Sequence, residues 1–352
     1  MKNEKTPNFR NSDFATKLEE MVAERLVNKQ KHPDADLFIY NYSQSVQYGR
    51  IWNEVTLQTR GLILDAEMNI VARPFRKFFN LTEHETHEIP QLPFEVFDKM
   101  DGSLGILYWL NDRPFIATRG SFTSEQAIHA TEILHQKYAH TFDKLHQNQT
   151  YLFEIIYPVN RIVVDYGNTD DLVLLAIIDN ETGDDIVNDV AMQDIGFQEV
   201  KRYDGINDLE ELKKLDLENK EGFVVRFSNG FRVKMKFEEY IRLHRIMTGV
   251  SNIAIWEYLA EGKSFEELLE QVPDEFYDWV QTTVADLNAQ FAAILAEAKS
   301  VYKEFPTRKE TALYFNEQKY PGVLFNLYTG KSPDIGIWRL IRPQFAKPFK
   351  SE

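Results

Sequence analysis

Phe94-Glu95-Val96-Phe97-Asp98-Lys99-Met100-Asp101-Gly102-Ser103-Leu104-Gly105-Ile106-Leu107-Tyr108 is the stretch on which the reading of this chain turns. Its apolar runs predict a strand, a tight turn at Asp101-Gly102-Ser103 and a second strand. Lys99 then sits at the turn between apolar walls, a setting in which a lysine can serve as an activated amine. A Lys of pKa ~10.4 is almost wholly protonated in neutral water, so a reactive one needs desolvation or neighbouring cations. Taken alone, Lys-x-Asp-Gly is a hairpin turn with a solvated lysine.

Working outward, residues 38 to 237 consist of short runs rich in Val, Ile, Phe and Tyr between Asp, Asn and Gly turns, with one helical insert over Ser124 to Leu145. The run Leu172 to Ile178 suits a buried strand. Gly222 to Phe237 reads as a hairpin turning at Ser228-Asn229-Gly230, and its second strand puts Lys234 and Lys236 on one face. Upstream, Ser12 to Lys31 has helical spacing, with Ser12 or Asp13 available as a cap. Beyond Arg245 the strand signals fade, and Ser264 to Gln271 and Glu275 to Phe305 show helical periodicity. The predicted fold class is α+β. A domain of antiparallel sheets and helices over residues 1–246 precedes an all-helical domain over 247–352.

The 352 residues suffice for two such domains, and 43% hydrophobic and 13% aromatic content supplies their cores. With no cysteine, disulfides, thiolate metal sites and cysteine nucleophiles are excluded. No stretch has the length of a signal peptide or a membrane span, so a soluble cytoplasmic protein with no membrane contact is expected. A net charge of −15 argues against a nonspecific nucleic-acid coat, and local charge must decide. The basic residues are clustered instead: Lys220 to Arg245 holds seven Lys or Arg against three Glu, whereas Glu257 to Asp278 holds eight acidic residues against Lys263.

Two carboxylates share the apolar surroundings of Lys99's strands: Glu154 in Tyr151-Leu152-Phe153-Glu154-Ile155, and Glu221 before Gly222-Phe223-Val224-Val225. Singly, Glu154 reads as an edge-strand ion pair, Glu221 as a surface loop residue, and Lys234-x-Lys236 as the solvated face of a hairpin. Together with Lys99 they read as a site, in which Lys234 and Lys236 supply the repulsion that lowers the lysine's pKa. Arg60, Lys77, Arg119, Lys234 and Lys236 form a cation set of the kind that surrounds a triphosphate with a divalent metal. Gly330-Lys331-Ser332 lacks the upstream Gly of a P-loop, and His84-Glu85-Thr86-His87 lacks zinc-protease spacing. His129, His135, His140 and His146 read as a polar helix face, and no structural metal is assigned.

Lys99-Met100-Asp101-Gly102-Ser103 resembles motif I of the covalent nucleotidyltransferases, which include RNA ligases, DNA ligases and mRNA capping enzymes. Thr59-Arg60-Gly61-Leu62-Ile63-Leu64 and Arg73-Pro74-Phe75-Arg76-Lys77-Phe78-Phe79-Asn80-Leu81 are similar to the T-even bacteriophage RNA ligase 1 family, the tRNA-repair class. So are Thr118-Arg119-Gly120-Ser121, Phe153-Glu154 with Pro158-x-Asn160-Arg161-Ile162-Val163, Glu221-Gly222-Phe223-Val224 and Lys234-x-Lys236, in that family's order over roughly residues 38 to 245. Leu104 stands where DNA ligases usually have Arg, and Arg119 departs from the phage enzymes' Lys. The resemblance implies a nucleotidyltransferase domain and an ATP-dependent RNA ligase that seals RNA ends with 5′-phosphate and 3′-hydroxyl, including nicked tRNA. It implies a catalytic set of Lys99, Asp101, Lys234 and Lys236. For ATP it implies Arg60, Lys77, Lys99, Gly102, Arg119, Glu154, Glu221, Lys234 and Lys236, with Glu221 also holding Mg2+ or Mn2+. Arg339, Arg342, Lys347 and Lys350 with Trp338, Phe345 and Phe349 make a basic, aromatic tail suited to RNA or to docking on its own domain. A DNA-joining or capping enzyme and a catalytically silent RNA binder stay open.

Overall fold

Strand β1 (Val27–Lys31) follows helix α1 (Ser12–Ala23), and with β2 (Leu37–Tyr42), β3 (Arg60–Asp65) and β4 (Ile70–Ala72) it forms an antiparallel sheet in chain order. Between β2 and β3 lie the short helices α2 (Gln44–Gly49) and α3 (Glu54–Gln58). Next come β5 (Phe79–Asn80), β6 (Phe94–Lys99), β7 (Ser103–Leu110), β8 (Arg113–Thr118), α4 (Glu125–Lys137), β9 (Gln149–Ile156) and β10 (Asp171–Asp179). The series continues with β11 (Gln198–Glu199), β12 (Arg202–Tyr203), α5 (Leu209–Leu212), β13 (Gly222–Phe227) and β14 (Arg232–Lys236). Helices α6 (Asn252–Ala260), α7 (Tyr277–Val301), α8 (Arg308–Asn316), α9 (Pro321–Tyr328) and α10 (Asp334–Leu340) complete it. This computed structural model describes residues 12–186, 195–206, 208–238, 240–241, 244, 251–263 and 277–344. The predicted segment Ser264 to Gln271 and the tail residues Phe345, Lys347, Phe349 and Lys350 lie outside them.

Two compact units, Met1–Leu243 and His244–Glu352, divide the chain. The fold is α+β, with sheets in the first unit and only helices among the described residues of the second. In the second unit Trp256 donates its indole N–H to the Trp338 carbonyl at 2.8 Å, and Phe315, Val323, Leu324 and Ile337 are buried.

The first unit has two five-stranded sheets beside the four-stranded one: β11-β10-β9-β7-β8 and β12-β6-β13-β14-β5. Pairing is antiparallel except for β10 with β11 and β14 with β5. The β11-to-β8 sheet is covered on both sides. Ile106, Tyr108, Leu152 and Ala176 meet Ile39, Ile63 and Ala72 of the four-stranded sheet on one face, and Leu107, Ile116 and Phe153 meet Ala130, Ile133 and Leu134 of α4 on the other. The β12-to-β5 sheet has an apolar core on one face, with Val96, Phe223, Val225 and Val233 in it.

Two expectations change. The helix predicted over Ser12 to Lys31 stops at Ala23, because Arg25 turns into the left-handed region (φ 60) and Val27–Lys31 pairs with β2 instead. The turn after Lys99 does not close a hairpin: β6 pairs with β12 and β13, and β7 with β8 and β9, so the chain crosses from one sheet to the other there.

Candidate functional site

Alternation along β6, β13 and β14 sorts side chains between the apolar core and a polar face. Lys99 and Lys236 are each in register with Gly222, and Phe97 and Lys234 with Val224, while Lys234 also pairs with Asn80 of β5. Lys99, Lys234 and Lys236 therefore share the face opposite Val96, Val225 and Val233. Further along this face Arg226 pairs with Glu95, and Asp185, reaching over from beyond β10, is held by Arg232 and by Arg226 at 3.4 Å.

The crossing turn is tied on every side. The Gly102 amide donates to Glu154 Oε1 at 3.0 Å. A Cβ at Gly102 would stand 2.6 Å from the Ile155 carbonyl oxygen and 3.1 Å from Glu154 Cγ, so only glycine fits this approach. Asp101, 3% exposed, accepts at Oδ2 from the Val163 and Val164 amides, both at 2.8 Å, and at Oδ1 from the Tyr240 hydroxyl at 2.7 Å. Its own amide donates to the Tyr166 hydroxyl at 2.8 Å. The carboxylate is thus engaged in holding backbone and tyrosine, an arrangement that places Lys99.

Glu221, 4% exposed, is neither a loop residue in water nor a bystander. Its Oε1 lies 2.5 Å from Lys99 Nζ and 3.7 Å from Lys236 Nζ. A carboxylate therefore stands between the two ammonium groups and offsets the repulsion anticipated from the sequence. Glu154 lies on β9, in the middle of its sheet rather than at an edge. Burial pushes its carboxyl up to about 8. The Lys99 ammonium opposes the rise, the Glu221 carboxylate adds to it, and the Gly102 amide and Arg60 also oppose it.

A second group gathers around Tyr42. Lys77 Nζ lies 5.7, 5.4 and 5.3 Å from the ring centres of Tyr42, Trp52 and Phe79 and donates to Gln47 Oε1 at 3.1 Å. The Arg119 guanidinium lies 5.7 Å from the Tyr42 ring centre. Burial lowers the Arg60 pKa, with Arg119 acting the same way and Tyr42 and Glu154 against it. The structure thus brings Arg60, Lys77 and Arg119 to one aromatic corner, and Glu154 faces both that corner and the Lys99 group. Sequence reasoning missed Tyr42, Trp52, Phe79, Tyr166 and Tyr240 in these roles; the one signal was aromatic residues close to the quoted motifs.

Among the described residues no three His, Asp or Glu side chains form a metal cage. Magnesium usually takes one or two carboxylates and completes its shell with water and substrate phosphates, so the buried Glu221 beside the lysines fits a divalent cation brought in with a polyphosphate. His129 on α4 meets Asp170 at 2.7 Å, and Gly330 (φ 67) follows the end of α9. No helix among the described residues is long and apolar enough to cross a membrane.

Residues 58–240 match the family described as RNA ligase, just over half of the chain. A Thermovibrio ammonificans protein that carries the name RNA ligase is 27% identical over 74% of this chain and 73% of its own. An RNA ligase of a Rhodothermus phage is 23% identical over 76% of this chain and 77% of its own. A Naegleria gruberi RNA ligase solved with ATP and Mn is 22% identical with a TM-score of 0.37, covering 45% of this chain, which spans 53% of the length of that one.

Proposed function

The chain belongs to the RNA ligase family, and on that premise we propose that it is an ATP-dependent ligase that joins 5′-phosphate and 3′-hydroxyl RNA ends through AMP carried on Lys99. The observation that carries this reading is the crossing turn, which presents Lys99 to Glu221 at 2.5 Å while Gly102 is tied to Glu154 on the neighbouring sheet.

Lys99 Nζ forms a bond to the α-phosphorus of ATP as the bond from that phosphorus to the bridging oxygen breaks, and pyrophosphate leaves with the electron pair. The lysine must shed its proton to solvent before it attacks, and its contact with Glu221 holds the Nζ in place. Lys234 and Lys236, on the same face as Lys99, neutralise the α-phosphate, and the corner of Arg60, Lys77 and Arg119 receives the departing pyrophosphate. Glu154 accepts from the adenosine ribose, and Asp101 acts by holding the turn. Glu221 would hold Mg2+ or Mn2+ together with substrate phosphate oxygens, and the cation would supply neutralisation of the charge developing on them.

AMP then passes to the RNA 5′-phosphate, and the 3′-hydroxyl displaces it to seal the strand. Nicked tRNA is the substrate class this reading favours, with the helical residues 247–352 contributing to RNA recognition and a cytoplasmic location for the reaction. The test is incubation with ATP labelled on its α-phosphate and magnesium, without RNA. Label that survives denaturation in the wild type and is absent from Lys99→Ala supports the reading, and ribose and deoxyribose end panels then separate RNA sealing from DNA joining or capping. A wild type that stays unlabelled with ATP, GTP or manganese and after pyrophosphate pretreatment would sink it in favour of a silent RNA binder.

A further inference from the structure

Arg73 was given no chemical role above, yet it is 4% exposed and its guanidinium links two separate segments. One guanidinium nitrogen donates to the carbonyls of Asn180 at 3.3 Å and Glu181 at 3.0 Å, and the other to Gln58 Oε1 at 3.1 Å. Its backbone amide donates to Thr150 Oγ1 at 2.8 Å, and Thr150 in turn donates to Asn180 Oδ1 at 2.6 Å. Gly183 leaves the room: a Cβ there would stand 2.6 Å from the Arg73 guanidinium carbon. Burial lowers the Arg73 pKa to about 10, with Arg76 adding to the effect, so the charge is kept at neutral pH.

Gln58 is the point of interest. It is 4% exposed and closes α3, a five-residue helix whose start is capped by Asn53 accepting from the Val55 and Thr56 amides. The chain proceeds through the buried Thr59, which donates its hydroxyl to the Val55 carbonyl at 3.1 Å, directly into Arg60. The Lys77 amide donates to the carbonyl of Leu57, the residue before Gln58, at 2.7 Å. Two cations from separate parts of the sequence are therefore referenced to one turn of helix. That helix is too short to hold itself and depends on what grips its end.

We propose that Arg73 is a positioning residue for nucleotidyl transfer: its planar fork locks Gln58, and so α3, to the turn that follows β10, and α3 sets the places of Arg60 and Lys77. This rests on the ligase reading, in which those two cations receive pyrophosphate. The fork is needed because its acceptors lie on two different segments, which a single ammonium does not span in the same way.

The test separates steps that involve pyrophosphate from one that does not. For Gln58→Ala and Arg73→Met, KM for ATP in Lys99 labelling and for pyrophosphate in the reverse reaction is expected to rise by about tenfold or more, because small misplacement of binding groups is costly. Sealing of RNA that already carries AMP on its 5′ end is expected to stay within about twofold, since no pyrophosphate is involved. Gln58→Glu keeps an acceptor for the fork and is expected to retain wild-type KM values. Unchanged KM values in Gln58→Ala, or a parallel fall in sealing, would overturn the proposal. If Arg73→Met fails to fold, the two Gln58 variants decide. A wild type that takes no label from ATP overturns the ligase reading and this inference with it, an outcome distinct from any variant effect.

Discussion

The two five-stranded sheets have the same number of strands and opposite economies of surface. The β11-to-β8 sheet is packed against α4 on one side and the four-stranded sheet on the other, and it admits the Glu154 carboxylate where β9 reaches the crossing turn. The β12-to-β5 sheet has its apolar core on one face and crowds the other with Lys99, Lys234, Lys236, Arg226 and Arg232. A sheet with apolar residues on both faces can hold a shape but has little area for charge, whereas a sheet with one polar face can array cations at strand spacing. With Lys99, the proposed nucleophile, on the second and Glu154 on the first, neither sheet makes the candidate site alone.

The comparison is broken most completely by Lys99→Ala, which is expected to abolish covalent labelling by ATP. Gly102→Ala comes next. Its Cβ would drive the crossing turn off the Ile155 carbonyl and away from Glu154, and labelling is expected to fall by about a hundredfold, measured as the single-turnover rate. Asp185→Ala attacks the β12-to-β5 sheet at the far end of its polar face. It leaves the arginines Arg226 and Arg232 without this buried carboxylate and is expected to cost about 3 kcal/mol in urea unfolding, a loss that a packed, uncharged site would not show.

The smallest effect is a slope. Because burial raises the folded-state pKa of Glu154 to about 8, its contribution to stability is fully present below its unfolded pKa of about 4.5 and is lost as pH rises through about 8. Thermal unfolding between those limits should therefore show a decline with pH in the wild type that Glu154→Gln flattens. An identical slope in both proteins would place the titration elsewhere.

Much of this was readable before any coordinates. The β13–β14 hairpin is announced by Ser228-Asn229-Gly230 and by the alternation of its second strand, which put Lys234 and Lys236 on one face. The buried run Leu172 to Ile178 lies within β10. What local pattern does not carry is partner choice. The strand ending at Lys99 pairs with residues 222–227, and nothing within the motif distinguishes that from a hairpin. β1 was read as helix because Val27 is its one buried residue, so no period of two marks it. Tyr166 and Tyr240 reach Asp101 from 65 and 139 positions away, which no spacing rule expresses. The division of labour between residues 1–246 and 247–352 remains a proposal for the same reason.

Three residues, Met100, Asp101 and Gly102, separate the last position of β6 from the first of β7. Four peptide units span at most about 14 Å when fully drawn out, so this tether is short, and Asp101 and Gly102 within it are hydrogen-bonded to both sides. Each sheet is therefore a handle on the lysine: any change in the gap between them is delivered to Lys99 rather than absorbed on the way. By this measure one residue inserted after Met100 would matter more than several added at Asn111-Asp112, a two-residue turn between β7 and β8 in which both residues have positive φ (50 and 59) and the chain has only to come back.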